Sequence, residues 1–379
     1  MEFSFSEHQN ELRRTARRFL EVASTEERVR SAMATERGYD PATWAQLSEE
    51  LAWTALTIPE EYGGLGMSYL DLHPLMEEIG RALLCAPFLS TIGLGANALL
   101  LGGSDAQKEL HLPGIAAGET RTTLAFAEKN NRMDAAGVEA TYARNGSGYT
   151  LRGDKSYVLD GHTADLLIVA ARSEGSAGAE GVSLFLVPGD ADGVKPAWLP
   201  TMDQTRRLAS VELRDVTVSG DALLGDEGRG WGLCEKTLDL ARIALAAEQV
   251  GAAEMCLEMS VEYAKMRKQF GRPIGSFQSI KHKCADMLMM IESARSAAFY
   301  ASALAAQNGD GLEEAASCAK AYCSDTFFHC AAETIQIHGG IGFTWEHPAH
   351  LYFKRAKAAE NLFGDPAFHR ERVATHMGL

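Results

Sequence analysis

The chain has 379 residues, 46% of them apolar, which is enough to bury several cores and to form two or three domains; it is not the composition of a disordered chain. Its 36 basic against 51 acidic side chains leave a formal charge of −15, and the one dense basic cluster, Arg13-Arg14 with Arg17-Arg18, is flanked by Glu7, Glu11 and Glu21, which argues against a nucleic-acid partner. The segment from Met1 to Leu20 is charged throughout and no later stretch is continuously apolar, so no signal peptide or membrane span is expected and the chain reads as cytoplasmic.

Residues 1–120 read as an α-helical domain, with helical patterning from Glu7 onward and its clearest break at Pro59-Glu60-Glu61-Tyr62-Gly63-Gly64-Leu65-Gly66. The texture changes over residues 121–225. Tyr149–Arg152, Leu166–Ala170, Val182–Val187 and Val211–Val218 are short β-prone runs separated by Gly, Asp and Ser clusters, a spacing that suggests a small barrel or sandwich. Helical pattern returns over residues 226–379, after Gly228-Arg-Gly-Trp231. There Phe277, Ile280, Cys284, Met287, Ile291, Ala294 and Ala298 alternate three- and four-residue steps, the stripe of a helix packed in a bundle. Such a stripe marks core, not a cofactor site. The seven cysteines, Cys85, Cys234, Cys256, Cys284, Cys318, Cys323 and Cys330, show no paired C-x-x-C spacing, so reduced core residues are expected and neither a disulfide framework nor a zinc site. His347 and His350 are three apart, but Pro348 lies between them and no third ligand follows, so they read as structural or surface residues.

Two segments differ from ordinary bundle sequence. In Arg267-Lys-Gln-Phe270-Gly271-Arg-Pro273-Ile-Gly-Ser-Phe277-Gln278, a Gly-Pro-Gly break separates a basic helix end from the next helix start, and a planar guanidinium there suits an anion such as a pyrophosphate. In Gln336-Ile-His338-Gly339-Gly340-Ile-Gly342 the glycines allow close backbone approach to a ligand. Taken alone, the first could be a surface cation and the second a helix end.

Together with the Pro59–Gly66 stretch and a Gly-x-Lys-x-Tyr-Val…Ala-Asp strand from Gly153 to Asp165, these segments resemble the acyl-CoA dehydrogenase family over nearly the whole chain. The resemblance implies a mainly α protein with a central β-barrel: a helical N-terminal domain, the barrel, and a C-terminal four-helix bundle, assembled as a tetramer built from two dimers. It implies FAD as cofactor, an acyl-CoA thioester as substrate and electron-transferring flavoprotein as electron acceptor. By the same resemblance, Arg267 would contact the pyrophosphate, with Phe270, Gln278, Gln336 and the Gly339-Gly340 backbone around the adenosine half of a flavin held mainly by a neighbouring chain. The chemistry implied is α-proton removal by a carboxylate while the β-hydride passes to flavin N5; an α-proton is weakly acidic, so a desolvated base and hydrogen bonds to the thioester oxygen are needed.

The sequence departs from the family at the base. The common position, a Glu before Gly-Thr, falls in Asn361-Leu362-Phe363-Gly364-Asp365 and is Phe363; the alternative position, a Glu before Arg, falls in Leu238-Asp239-Leu240-Ala241-Arg242 and is Ala241. Asp239 is roughly 200° around the helix from Ala241, and Glu248 is about 10 Å along its axis. Asp365 and Glu360, near Phe363, are the fallback acids. Arg242 stands where the family places an arginine beside the acyl or base region. The family's Thr-Glu-Pro…Gly-Ser-Asp loop appears as Ala127-Glu128-Lys129…Arg132-Met133-Asp134 and its Trp-x-Thr strand as Tyr157-Val158-Leu159, so Ala127, Met133 and Leu159 replace hydroxyls that would bond the flavin. The losses fall on the half of the site a chain uses for its own flavin ring. The half lent to a neighbour is intact.

This asymmetry leads to the expectation of a base-lacking subunit in an α2β2 heterotetramer acting on a bulky, sterol side-chain type acyl-CoA; the Gly271–Gln278 and Trp345–Tyr352 segments look similar to such members. The alternatives are a self-sufficient homotetramer using Asp365 or Glu360, a non-enzymatic binding member of the fold, or a flavin oxidase or monooxygenase on the same scaffold.

Overall fold

The computed structural model describes residues 4–379, so the first three positions of the segment read from Met1 lie outside the described residues. In chain order the helices are α1 (Glu7–Ala23), α2 (Glu26–Met33), α3 (Pro41–Ala45), α4 (Tyr69–Arg81), α5 (Asn97–Gly102), α6 (Asp105–Ala116), α7 (Gly230–Met266), α8 (Gln278–Gln307), α9 (Leu312–His338), α10 (Ala349–Asn361) and α11 (Pro366–His376). The strands are β1 (Thr122–Ala125), β2 (Thr141–Asn145), β3 (Gly148–Leu159), β4 (Leu166–Ser173), β5 (Val182–Pro188), β6 (Val194–Leu199), β7 (Leu208–Ser219) and β8 (Leu223–Leu224). Among the described residues no helix is long and apolar enough to cross a membrane.

The residues gather into two compact units. One comprises Met1–Ser31, Ser68–Leu84 and Arg242–Leu379. In it α9 packs against α8, α10 and α11, while α4 packs on α1 and α8. The α8 stripe read from the sequence lies inward at Met287, Ile291, Ala294 and Ala298, and is half-buried at Phe277, Ile280 and Cys284. Where α4 meets α7 the backbones touch: a Cβ on Gly80 would lie 1.9 Å from the Glu248 carbonyl oxygen, and one on Gly251 would lie 1.8 Å from that of Glu77. Only glycine permits so close a crossing. α1 begins with a reciprocal cap, in which Gln9 N–H donates to Ser6 Oγ (3.2 Å) and Ser6 N–H to Gln9 Oε1 (2.9 Å).

The other unit, Ala32–Met67 with Cys85–Ala241, holds an eight-stranded sheet in the order β6-β7-β3-β2-β4-β5-β8, with β1 pairing parallel to β4. Its core is built from Tyr142, Tyr149, Leu151, Val169, Phe185 and Val211, among others. β4 is buried from Leu166 to Arg172, as its unbroken apolar run requires. The expected barrel needs correction, because the sheet is open. Its edges are β8, two residues long, and β6, which carries Pro196 and is largely exposed; a proline lacks the donor for a further pairing, so both edges end the ladder. β1, β2, β6 and β8 were not legible as strands because they are short or lack apolar alternation. No disulfide joins the seven cysteines; five are buried, Cys284 is half-buried and Cys318 is exposed, so the expectation of core thiols holds for five.

Candidate functional site

The candidate cofactor residues of the helical unit gather at one end of α7 and α9. The chain leaves α7 through Arg267, whose N–H still bonds to the Tyr263 carbonyl (2.8 Å), and turns back through a two-stranded ladder that pairs Lys268–Gln269 with Arg272–Pro273. Phe270 forms the tip with φ +52°, is 91% exposed, and meets Phe277 edge-on at 6.0 Å between centroids. Arg267 and Gln278, the first residue of α8, are exposed, and Arg267 has no ion pair among the described residues. Tyr263 stacks on His338 at 4.4 Å, which brings the end of α9 alongside. There Gln336, Gly339 and Gly340 are exposed; Gly339 takes φ +62°, and no atom lies within 4 Å of a Cβ built on either glycine. The result is an open peptide surface beside an unpaired guanidinium, a cradle that fits the anionic and planar parts of a dinucleotide. His347 packs on His338 (4.3 Å) and His350 on Trp345 (4.7 Å), and among the described residues no group of acidic, His or Cys side chains could hold a metal.

The sheet unit holds the other candidate loop. Glu128 is buried and accepts N–H donors from Glu139 and Ala140 (both 2.9 Å) and from Lys155 Nζ (2.6 Å). Burial lowers the Lys155 ammonium despite Glu128, so this pair is a satisfied internal tie. β3 is irregular against β7 between Lys155 and Val158, and Tyr157 adopts φ +57°. Ala127 and Leu159 are buried apolar side chains and Met133 is half-buried, so the three positions offer no hydroxyl.

Neither of the two positions expected from the resemblance to hold the base carries an acid. Ala241 is fully buried, and Phe363 is 3% exposed with φ +61°. The Phe363 carbonyl accepts from Arg242 Nε (3.0 Å), so Arg242 is a buried backbone anchor at this turn. The fallback acids are both engaged. Glu360 pairs with Lys357 Nζ (2.9 Å), and the exposed Asp365 caps α11 by accepting from Phe368 N–H (2.8 Å). Glu248 pairs with buried Arg355 (2.8 Å). Sequence reasoning missed Lys320 and His369, both fully buried beside the same turn. The signal was available for Lys320, which keeps helical step with Ala316, Cys323 and Phe327 in the core of α9.

Comparison with known proteins agrees with the motifs. The acyl-CoA dehydrogenase N-terminal, middle and C-terminal domain models match residues 6–119, 123–216 and 228–378. Acyl-CoA dehydrogenase IpdE2 of Mycolicibacterium smegmatis is 35% identical over 95% of this chain and 96% of its own. Butyryl-CoA dehydrogenase from Megasphaera elsdenii superimposes with a TM-score of 0.93 at 29% identity, covering 100% of both chains. A chain of the ChsE4-ChsE5 complex from Mycobacterium tuberculosis does so with a TM-score of 0.90 at 26% identity, covering 100% of this chain and 99% of that one. With all three domain models matched in order along a single polypeptide, the chain belongs to the acyl-CoA dehydrogenase family of FAD-dependent oxidoreductases.

Proposed function

We propose that this chain is the base-lacking subunit of a cytoplasmic α2β2 acyl-CoA dehydrogenase that desaturates a bulky acyl-CoA. The observation that carries the reading is the state of the base positions: Ala241 and Phe363 are both buried and cannot ionise, while Glu360 and Asp365 are committed to Lys357 and to the α11 cap. A general base must be free to reach the proton it takes, and no such carboxylate stands at these positions.

FAD, when bound, accepts the β-hydride and passes the electrons on to electron-transferring flavoprotein. This chain's own part is binding. Arg267 would offer paired donors to the pyrophosphate, the exposed Gly339-Gly340 backbone would admit close approach, and Phe270, Gln278 and Gln336 would hold the adenosine half. The isoalloxazine half fits poorly here, because the Ala127, Met133 and Leu159 side chains offer it no hydrogen bond. A homologous partner carrying both the ring contacts and a carboxylate completes the site. The likeness to a chain of the ChsE4-ChsE5 complex supports an assembly of two different chains. A homotetramer relying on Asp365 or Glu360 is disfavoured by the engagements above.

The test is to purify the chain alone and with the product of a neighbouring gene, then measure flavin per chain and thioester-dependent flavin bleaching. One flavin per two chains, with bleaching only in the mixed complex, is expected. Full loading and turnover by the lone chain would overturn the reading.

A further inference from the structure

Behind the Phe363–Gly364 turn lies a group of buried basic side chains with no task in the reading above. Lys320 Nζ donates to Ser324 Oγ (3.0 Å), to the Glu360 carbonyl in the last turn of α10 (3.1 Å) and to the Gly364 carbonyl (3.0 Å). Three acceptors use all three N–H bonds of an ammonium. Arg242, from α7, holds the adjacent Phe363 carbonyl. On α11, His369 is fully buried and neither ring nitrogen has a hydrogen-bond partner by geometry; burial, with Arg242, Lys320 and Arg372 nearby, brings it down to about 2, so it stays neutral. The acids that act on Lys320 are Glu360 on α10 and Asp365 at the start of α11, and α9 itself adds Cys323, whose thiol donates to the Ala294 carbonyl of α8.

The clamp meets a conformational need. Phe363 has φ +61°, which a bulky side chain rarely adopts and which persists only where the surroundings over-determine it. Holding the carbonyls of Glu360, Phe363 and Gly364 from behind supplies that constraint. We propose that Lys320 is a positioning residue: by pinning the Glu360 and Gly364 carbonyls it keeps Phe363 in its left-handed conformation and makes the order of this turn depend on its own protonation. A neutral amine has two N–H bonds and a lone pair, so on deprotonation one of the three acceptors is released. Burial and Arg242 bring the Lys320 ammonium down to about 7, with Cys323, Glu360 and Asp365 opposing, so the release falls within an accessible pH range.

Hydrogen exchange in peptides covering residues 361–365, measured in the mixed complex for wild type and Lys320→Met and corrected for intrinsic base catalysis, tests the pin. The variant turn is expected to exchange about tenfold faster at pH 6, with α8 unchanged, and wild type is expected to approach it at pH 8.5 while the variant shows no such pH response. An unchanged turn, or equal loosening of α8 and α9, overturns the pin.

Discussion

Phe363 and Asp365 lie two residues apart and serve the chain in different ways. Phe363 is buried, where a phenyl ring contributes several kcal/mol of burial that offsets its strained φ, itself a cost of about 1–3 kcal/mol. Asp365 is exposed and closes the first turn of α11. Asp365→Ala is therefore expected to lower stability by about 1 kcal/mol in urea unfolding, the usual loss for an N-cap, while flavin bleaching by the mixed complex stays within about twofold. Abolished bleaching would instead make Asp365 the displaced base.

At the scale of elements, the contacts among α1, α4 and α8 centre on one buried carboxylate. Glu77, on α4, is paired with Arg13 of α1 and Arg295 of α8, and it accepts from His73 Nε2 (3.1 Å), whose Nδ1 meets Ser302 Oγ (2.8 Å). The Ser-His-Glu order has the form of a hydrolase triad, but the Ser302 hydroxyl donates to the Ala298 carbonyl (3.0 Å) and the group is buried, so its role is structural. Burial pushes the Glu77 carboxyl up, but His73, Arg295 and Arg13 outweigh it and hold the group at about 2, against 4.5 when free. The linked stabilisation, about 3 kcal/mol, is complete above pH 4.5 and is lost as pH falls from 4.5 toward 2. Glu77→Ala removes the carboxylate shared by Arg13, Arg295 and His73, leaving Arg13 with Glu78 (3.9 Å) and Arg295 with Glu254 (3.2 Å), and is expected to cost about 3 kcal/mol at pH 7 and to flatten the pH dependence of urea midpoints over that acid range.

At the scale of the whole molecule, a subunit that lends residues across an interface should tolerate their loss in its own fold. Arg267 is exposed and without an ion pair among the described residues, so Arg267→Ala is expected to change the chain's stability by less than about 0.5 kcal/mol. In the mixed complex it is expected to weaken flavin retention by about tenfold or more, measured by equilibrium dialysis, because it removes the charge-assisted contact to the pyrophosphate proposed above. The sequence by itself determined the family and the helix-sheet-helix order, because motifs, periodicity and turn chemistry are set by residues adjacent in the chain. It could not determine what Glu360 and Asp365 bind, that Lys320 reaches Gly364 from 44 positions away, or that Glu77 meets Arg295 from 218 away. Nor did it show that the sheet stays open at β6 and β8. Those facts were decided by the tertiary structure, since the partner of a buried charge or an edge strand is whatever packing brings against it, and local sequence carries no record of that neighbour.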